Sequence, residues 1–340
     1  MNRLKILGLA ASLLFTGLHR NASAADSPTQ DAIRAAVVKS VPLLEAGSRG
    51  SMLKRKQCFT CHNQGLPIMA LAAARDRGLA IDADNLQKQL QFIADFLGKN
   101  RANFLSGKGP GGGALTAGYA LWTLEIGGWK PDATTAAAAE YLLTFQKDLG
   151  HWKVQSIRPP SEESLFTVTS VALRGLKSFG AAEQKQRIAE RVAVVREWIT
   201  KTAAQDTEDR VFRLWSMKSA DMAAPELRQA VDDLLRTQRA DGSWSQLSDM
   251  TGDAYATATA LVALHRAGGL ATSDAAYQKG IQWLLTAQLA DGSWHVRTRS
   301  KPIQTYFESG YPHGEDQFIS IAAASWATTA LALSLPANTH

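Results

Sequence analysis

Cys58, Cys61 and His62 stand in the order C-x-x-C-H, and the two thiols are the only cysteines of the 340-residue chain. Two thiols at this spacing can add to the two vinyl groups of one porphyrin, and the imidazole that follows is placed to coordinate its iron. The pattern therefore reads as a c-type haem attachment site for one covalent haem c, with Cys58 and Cys61 as anchors and His62 as proximal ligand. A dithiol redox pair would be expected inside a thioredoxin-like βαβ pattern, and none surrounds it. Half of a zinc site would need a second pair of ligands at matching spacing, and the sequence has none. A structural disulfide is the third alternative.

The rest of the chain decides where such a site would work. Met1–Lys5 is basic, residues 6–18 are apolar, and Ala22-Ser23-Ala24 precedes Ala25. This is the pattern of a cleavable secretory signal over residues 1–24, so the mature protein is expected to be secreted, and periplasmic in a Gram-negative cell. No cysteine follows the apolar core to take a lipid anchor, and no other apolar stretch is long enough to cross a bilayer. The net charge of +6 is mild and its Lys and Arg residues are scattered, with Lys54-Arg55-Lys56 the densest run. Such a distribution describes solvated faces and excludes a nucleic-acid footprint.

An internal repeat runs along the mature chain. The segments Gln238–Trp244 and Gln288–Trp294 are near-copies 50 residues apart, and Gln146–Trp152 keeps the frame Q-x-x-x-G-x-W. Gln57 falls in the same series, which places the cysteines in the loop of the first repeat. Each unit reads as a helix, a Gln-to-Trp loop and a second, Ala-rich helix. Apolar residues recur at helical spacing over 164–179, 254–267 and 317–333. Weaker units cover 86–126 and 181–218, and 31–46 with 66–77 make the first. Strand alternation is absent. Six helix pairs predict an all-α fold, either an open solenoid or a closed (α/α)6 toroid.

The loop Q-x-x-D-G-S-W resembles the hallmark repeat of squalene–hopene cyclases and their terpenoid-cyclase relatives. That resemblance implies a single α/α toroid over residues 25–336, in which Gln146, Trp152, Gln238, Trp244, Gln288 and Trp294 stitch neighbouring helices together. It also directs attention to Asp206-Thr207-Glu208-Asp209. The cyclases carry a D-x-D-D run at a comparable place, and its middle Asp protonates the alkene. Glu208 holds that position here, with Arg210 following where the cyclases have a small residue. The chain also lacks the cyclases' second domain.

All six intra-pair loops should gather at one end of the ring. Carboxylates close several of them at the start of the second helix: Glu163, Glu208, Asp209, Asp253 and Asp316. Acids there cap helices and complement the macrodipole; the functional alternative is an acidic mouth with Glu208, Asp209 and Asp316 as catalytic candidates. Ring closure would set the loop 295–316 beside Cys58–His62 and makes His313 the candidate distal iron ligand, ahead of His295, His151, Met250 and Met52. The leading expectation is electron transfer, or haem-dependent redox chemistry on a ligand, with a redox partner protein. The alternatives are an exported enzyme on a polyprenyl-like substrate and a non-catalytic scaffold.

Overall fold

The computed structural model describes residues 28–302 and 305–338. The secretory-signal expectation for residues 1–24 lies outside them. Twelve long helices follow one another: α1 Gln30–Lys54, α2 Leu66–Arg75, α3 Ala83–Leu105, α4 Gly113–Ile126, α5 Ala133–Thr144 and α6 Leu165–Phe179, then α7 Lys185–Lys201, α8 Thr207–Ser219, α9 Ala224–Leu235, α10 Ala254–Arg266, α11 Ala275–Ala287 and α12 Gln317–Leu333. The described residues contain no strand, only one isolated bridge between Arg158 and Glu162.

The even-numbered helices form the inner ring, each packed on the next, with α12 against α2; the odd-numbered helices lie outside. Composition explains the division. Every residue of α12 except Phe318 is buried, whereas α9 buries only Ala230 and Leu234. A helix apolar on all sides must be enclosed, and one with a single apolar stripe can face water. Small residues let the inner helices approach closely: a Cβ on Gly118 of α4 would lie 2.8 Å from the carbonyl carbon of Val171 in α6. Helix starts are fixed by side chains that accept free backbone N–H groups, as Asp82, Ser164, Asp206 and Asp253 do.

The ring is closed. Gln288 Nε2 donates to Gly292 O at 3.0 Å and to Ala36 O of α1 at 2.9 Å, while Gln30 Nε2 reaches Ser334 O at 3.3 Å. Gln238 makes the same pair of bonds, to Gly242 O and to Ala276 O of the next outer helix. Trp152, Trp244 and Trp294 are fully buried, and each donates its indole N–H to a carbonyl near the end of its own outer helix, Leu142, Leu234 and Leu284. Gln146 departs from this plan: its φ is 54° and its Oε1 accepts from Lys153 N. There Arg191 does the stitching, donating to the carbonyls of Gln146, Lys147, Leu149 and His151 with its guanidinium 4.1 Å over Trp152.

Two expected boundaries move. Helix α1 continues from Ala46 to Lys54 because Gly47 and Gly50 sit directly under Tyr311 and Ser309; a Cβ on Gly50 would lie 1.8 Å from Ser309 O. These small residues make a close contact and do not end the helix. The run Asp206–Asp209 is not a loop either: Asp206 is the N-cap and the next three residues form the first turn of α8. Along the ring axis the barrel is filled by aromatic rings. Trp122 lies 5.8 Å from Trp215 and 6.0 Å from Trp326, and Tyr119 stacks on Trp122.

Candidate functional site at the mouth of the ring

Between α1 and α2 the chain runs extended through Thr60 and then makes one π-helical turn, Cys61–Gly65, before α2 begins. Such wide turns are often found at functional positions. A buried polar network fixes this one. Gln64 Oε1 accepts from the N–H and hydroxyl of Thr60 at 3.0 and 3.1 Å, its Nε2 donates to Gln89 at 2.9 Å, and Ser51 and Thr60 hydroxyls meet at 2.9 Å.

The turn separates the two thiols. Cys58 is exposed and Cys61 is buried. Burial pushes the Cys61 thiol far above its ordinary range, reinforced by the nearby Glu162 carboxylate. In the folded apoprotein a thiol reagent such as DTNB should therefore titrate one thiol quickly, Cys58, and the second only after denaturation. Two fast thiols in the native protein would contradict this geometry.

His62 lies beside Glu162, with Nδ1 3.8 Å from Oε1, and meets Phe318 edge-on at 5.4 Å. Burial, then the charges of Arg158 and Arg55, push its pKa down to about 3, so the imidazole is neutral at physiological pH. Glu162 is itself nearly buried, bound by Arg158 (Nε to Oε2, 2.6 Å) and by Ser156 Oγ at 3.1 Å. His62, Arg158 and Glu162 border a cleft of about 180 Å³ whose other walls include Pro159, Pro302, Tyr306, Phe318 and Ile319. Phe318, the one residue of α12 that is not buried, thus faces this cleft beside Ile319.

The acidic run divides. Asp206 accepts from Asp209 N at 2.8 Å, and Asp209 accepts from Ser164 Oγ at 2.6 Å and Gln205 N at 2.9 Å. Both are helix-end acids. Glu208 points inward, fully buried, taking 2.8 Å and 3.2 Å hydrogen bonds from Thr167 Oγ1 and Tyr255 OH. Burial holds its carboxyl well above the usual carboxylate range against the Thr167 hydrogen bond, and the Asp206 charge adds to the rise. Arg210 lines a groove between α7, α8 and α9 on the outer side. The cation that the sequence sets next to this acid therefore does not share its chamber. Glu208 borders neither the mouth cleft nor the cavity at the far end of the barrel.

The remaining candidates are placed as follows. Asp253 caps α10, accepting from Ala256 N at 3.0 Å, and burial raises it to about 6. Asp316 binds His295 Nε2 at 2.7 Å and Thr298 N at 2.8 Å. His313 has φ +84°, stacks on His295 at 4.6 Å and meets Ser293 Oγ through Nε2 at 2.8 Å. It does not line the cleft that His62 borders. His151 stacks on Trp198, and Met69 lines the far-end cavity. Thr298, Ser300, Lys301, Pro302 and Tyr306 share the cleft with His62, as ring closure requires, and Arg55 lies over the Phe307 ring. The residue that sequence reasoning passed over is Glu162; its exposed neighbour Glu163 was the visible acid.

Comparison with known proteins agrees with this architecture. The sequence model of the squalene-hopene cyclase C-terminal domain matches residues 174–334. A squalene–hopene cyclase of Zymomonas mobilis is 35% identical over 89 residues, which is 26% of this chain and 13% of that protein. The type II terpene cyclase MstE from Scytonema superposes with a TM-score of 0.55 at 18% identity, over 90% of this chain and 98% of that one. The fold is a terpenoid-cyclase-like toroid. MstE structures include complexes with geranylgeranyl dihydroxybenzoate as substrate and merosterolic acid A as product. A possible GH105-family protein from Salmonella enterica reaches a TM-score of 0.50 at 14% identity over 91% of this chain and 94% of that one. The fold therefore occurs with differently described proteins, and function must be argued from the site.

Proposed function

We propose that this toroid is an exported c-type haem protein, with Cys58 and Cys61 holding the porphyrin and His62 as the proximal ligand. The observation that carries the reading is the position of His62: a neutral imidazole on the wall of a largely apolar cleft at the ring mouth, one residue from Cys61 and four from the exposed Cys58. The imidazole suits an iron, whereas neither Cys58 nor Cys61 borders the cleft and its volume of about 180 Å³ is smaller than a porphyrin, so the mouth would have to open to take the group. Nδ1 of His62 is turned to Glu162, which leaves Nε2 for iron, and Arg158 with Ser156 keeps that carboxylate in place. Phe318 braces the imidazole ring, and Lys301 on the cleft offers positive charge to porphyrin carboxylates. Burial of Cys61 implies that attachment precedes closure of the ring. When bound, haem would supply one-electron chemistry, either passed to a redox partner protein or used on a small ligand in the cleft.

The test is a reduced-minus-oxidised visible spectrum of protein exported in a host with c-type haem maturation. Colour that survives acid–acetone extraction, and is lost completely in Cys58→Ala/Cys61→Ala, supports the reading. A folded, colourless protein ends it.

The likeness to cyclases favours a second reading, acid-initiated chemistry on a polyprenyl-like substrate. The specific observation is Glu208, a buried carboxyl that burial holds well above the usual carboxylate range, within the stretch that the cyclase domain matches. Against it, Glu208 is closed in by Thr167 and Tyr255 and the barrel axis above it is packed with indoles. Incubation with a geranylgeranyl-bearing substrate decides: cyclised product from the parent protein and none from Glu208→Gln would put this reading first.

A further inference from the structure

We infer that the end of the barrel opposite the mouth is a binding site for an organic anion, a carboxylate carried on an apolar body. The inference does not depend on the haem reading. All six inner helices contribute to a cavity of about 310 Å³ there, including Met69 of α2, Trp122 of α4, Arg174 of α6, Trp215 of α8, Arg266 of α10 and Thr329 of α12. That volume lies at the lower end of small-ligand pockets, which combine apolar walls with a few convergent polar groups.

Three observations define the ligand. First, the floor is two indole faces, Trp122 and Trp215, 5.8 Å apart, with Met69, Ala72, Ala73 and Val262 around them. An apolar body fits such a floor. Second, the indole N–H groups of Trp122 and Trp215 are buried without an acceptor among the described residues, as is that of Trp326 beneath them. Buried donors left unpaired cost about 1–3 kcal/mol each, and since none of these nitrogens is open to the cavity, a guest's acceptor would pair with them only as the indoles shift. Third, the rim carries two guanidiniums, Arg174 and Arg266, and two carboxylates, Glu125 and Asp76, and both carboxylates are already bound by arginines. Arg174 is pinned over both indoles, at 5.0 and 5.6 Å, by its two bonds to Glu125. Asp76 is likewise bound, to Arg75. Arg266 makes no hydrogen bond or ion pair among the described residues, although it borders the cavity. Partial desolvation, then the charges of Arg77 and Arg174, push the guanidinium of this exposed arginine below its ordinary range, against the attraction of Asp76. A guanidinium fork with free donors is suited to bind a carboxylate through two parallel hydrogen bonds.

Octanoate is a direct probe. Calorimetric titration of the full protein should give saturable one-to-one binding, and octanol, with the same body and no charge, should bind at least tenfold more weakly. Arg266→Gln should weaken octanoate at least tenfold while leaving the ligand-free melting temperature nearly unchanged, since the exposed side chain makes no hydrogen bond or ion pair among the described residues. Lys301→Gln, at the mouth, should leave octanoate binding intact. Equal affinity for octanol and octanoate, indifference to Arg266→Gln, loss in Lys301→Gln, or no saturation at millimolar octanoate would each overturn the inference.

Discussion

Trp294→Ala should lower the unfolding free energy by about 3–5 kcal/mol, the range for removing a large buried aromatic side chain. Trp294 is 1% exposed, and its indole N–H donates to Leu284 O at 2.9 Å, holding the end of α11. The same loop carries Gln288, whose amide reaches α1 and closes the ring, and Gly292, whose φ of +93° only glycine adopts freely. A Cβ on Gly292 would also lie 2.6 Å from Lys39 O. Loss of the indole therefore loosens one helix end and the seam between the last and first units together. Trp294→Phe keeps most of the apolar area and strands only the Leu284 carbonyl, so its cost should be about 1–3 kcal/mol. Urea denaturation of the two variants separates these contributions. Equal costs would mean that packing of the ring carries little of the stability and the hydrogen bond nearly all.

Glu208→Gln should make the protein more stable than its parent at pH 8 and leave it nearly unchanged at pH 4. Burial raises the Glu208 pKa in the folded state above its unfolded value near 4.3. A carboxyl raised in this way contributes fully below the unfolded pKa, and its contribution is lost as pH rises through the folded pKa. Glutamine keeps the shape and neither ionises nor needs to. Glu208→Ala is a different case: Thr167 Oγ1 and Tyr255 OH both lose their partner, with a cost of about 1–3 kcal/mol at every pH. Denaturation midpoints at pH 4, 6 and 8 read both effects. A glutamine variant weaker than the parent at pH 8 would show that Glu208 is ionised in the folded protein, contrary to its surroundings here.

The fold was legible because the repeat marks its own joints. Gln238, Asp241, Gly242 and Trp244 recur at 288, 291, 292 and 294, and every one has a local task in the loop. The unit at Gln146 lacks the Asp-Gly-Ser turn, and nothing local announces that Arg191, 45 residues on, takes over. The site divides in the same way. Cys58, Cys61 and His62 are adjacent in sequence and could be read from it, whereas Glu162 reaches His62 from a loop without periodicity, placed only when the ring closes. The inward turn of Glu208 was hidden for a related reason. Asp206, Glu208 and Asp209 look alike in a row, and the helical screw sends two to the cap and one to the core.

Closure has a further consequence, in the way the molecule comes apart. In an open stack of repeats the outermost units have one neighbour each and fray first. Here the amide of Gln30 meets Ser334 and that of Gln288 meets Ala36, so no unit is outermost. Parting any one unit breaks two interfaces at once, and the strain of doing so is shared around the circumference. The mouth and the far end are held in register by the same hoop, which gives a small protein with two separate openings the rigidity of a single frame.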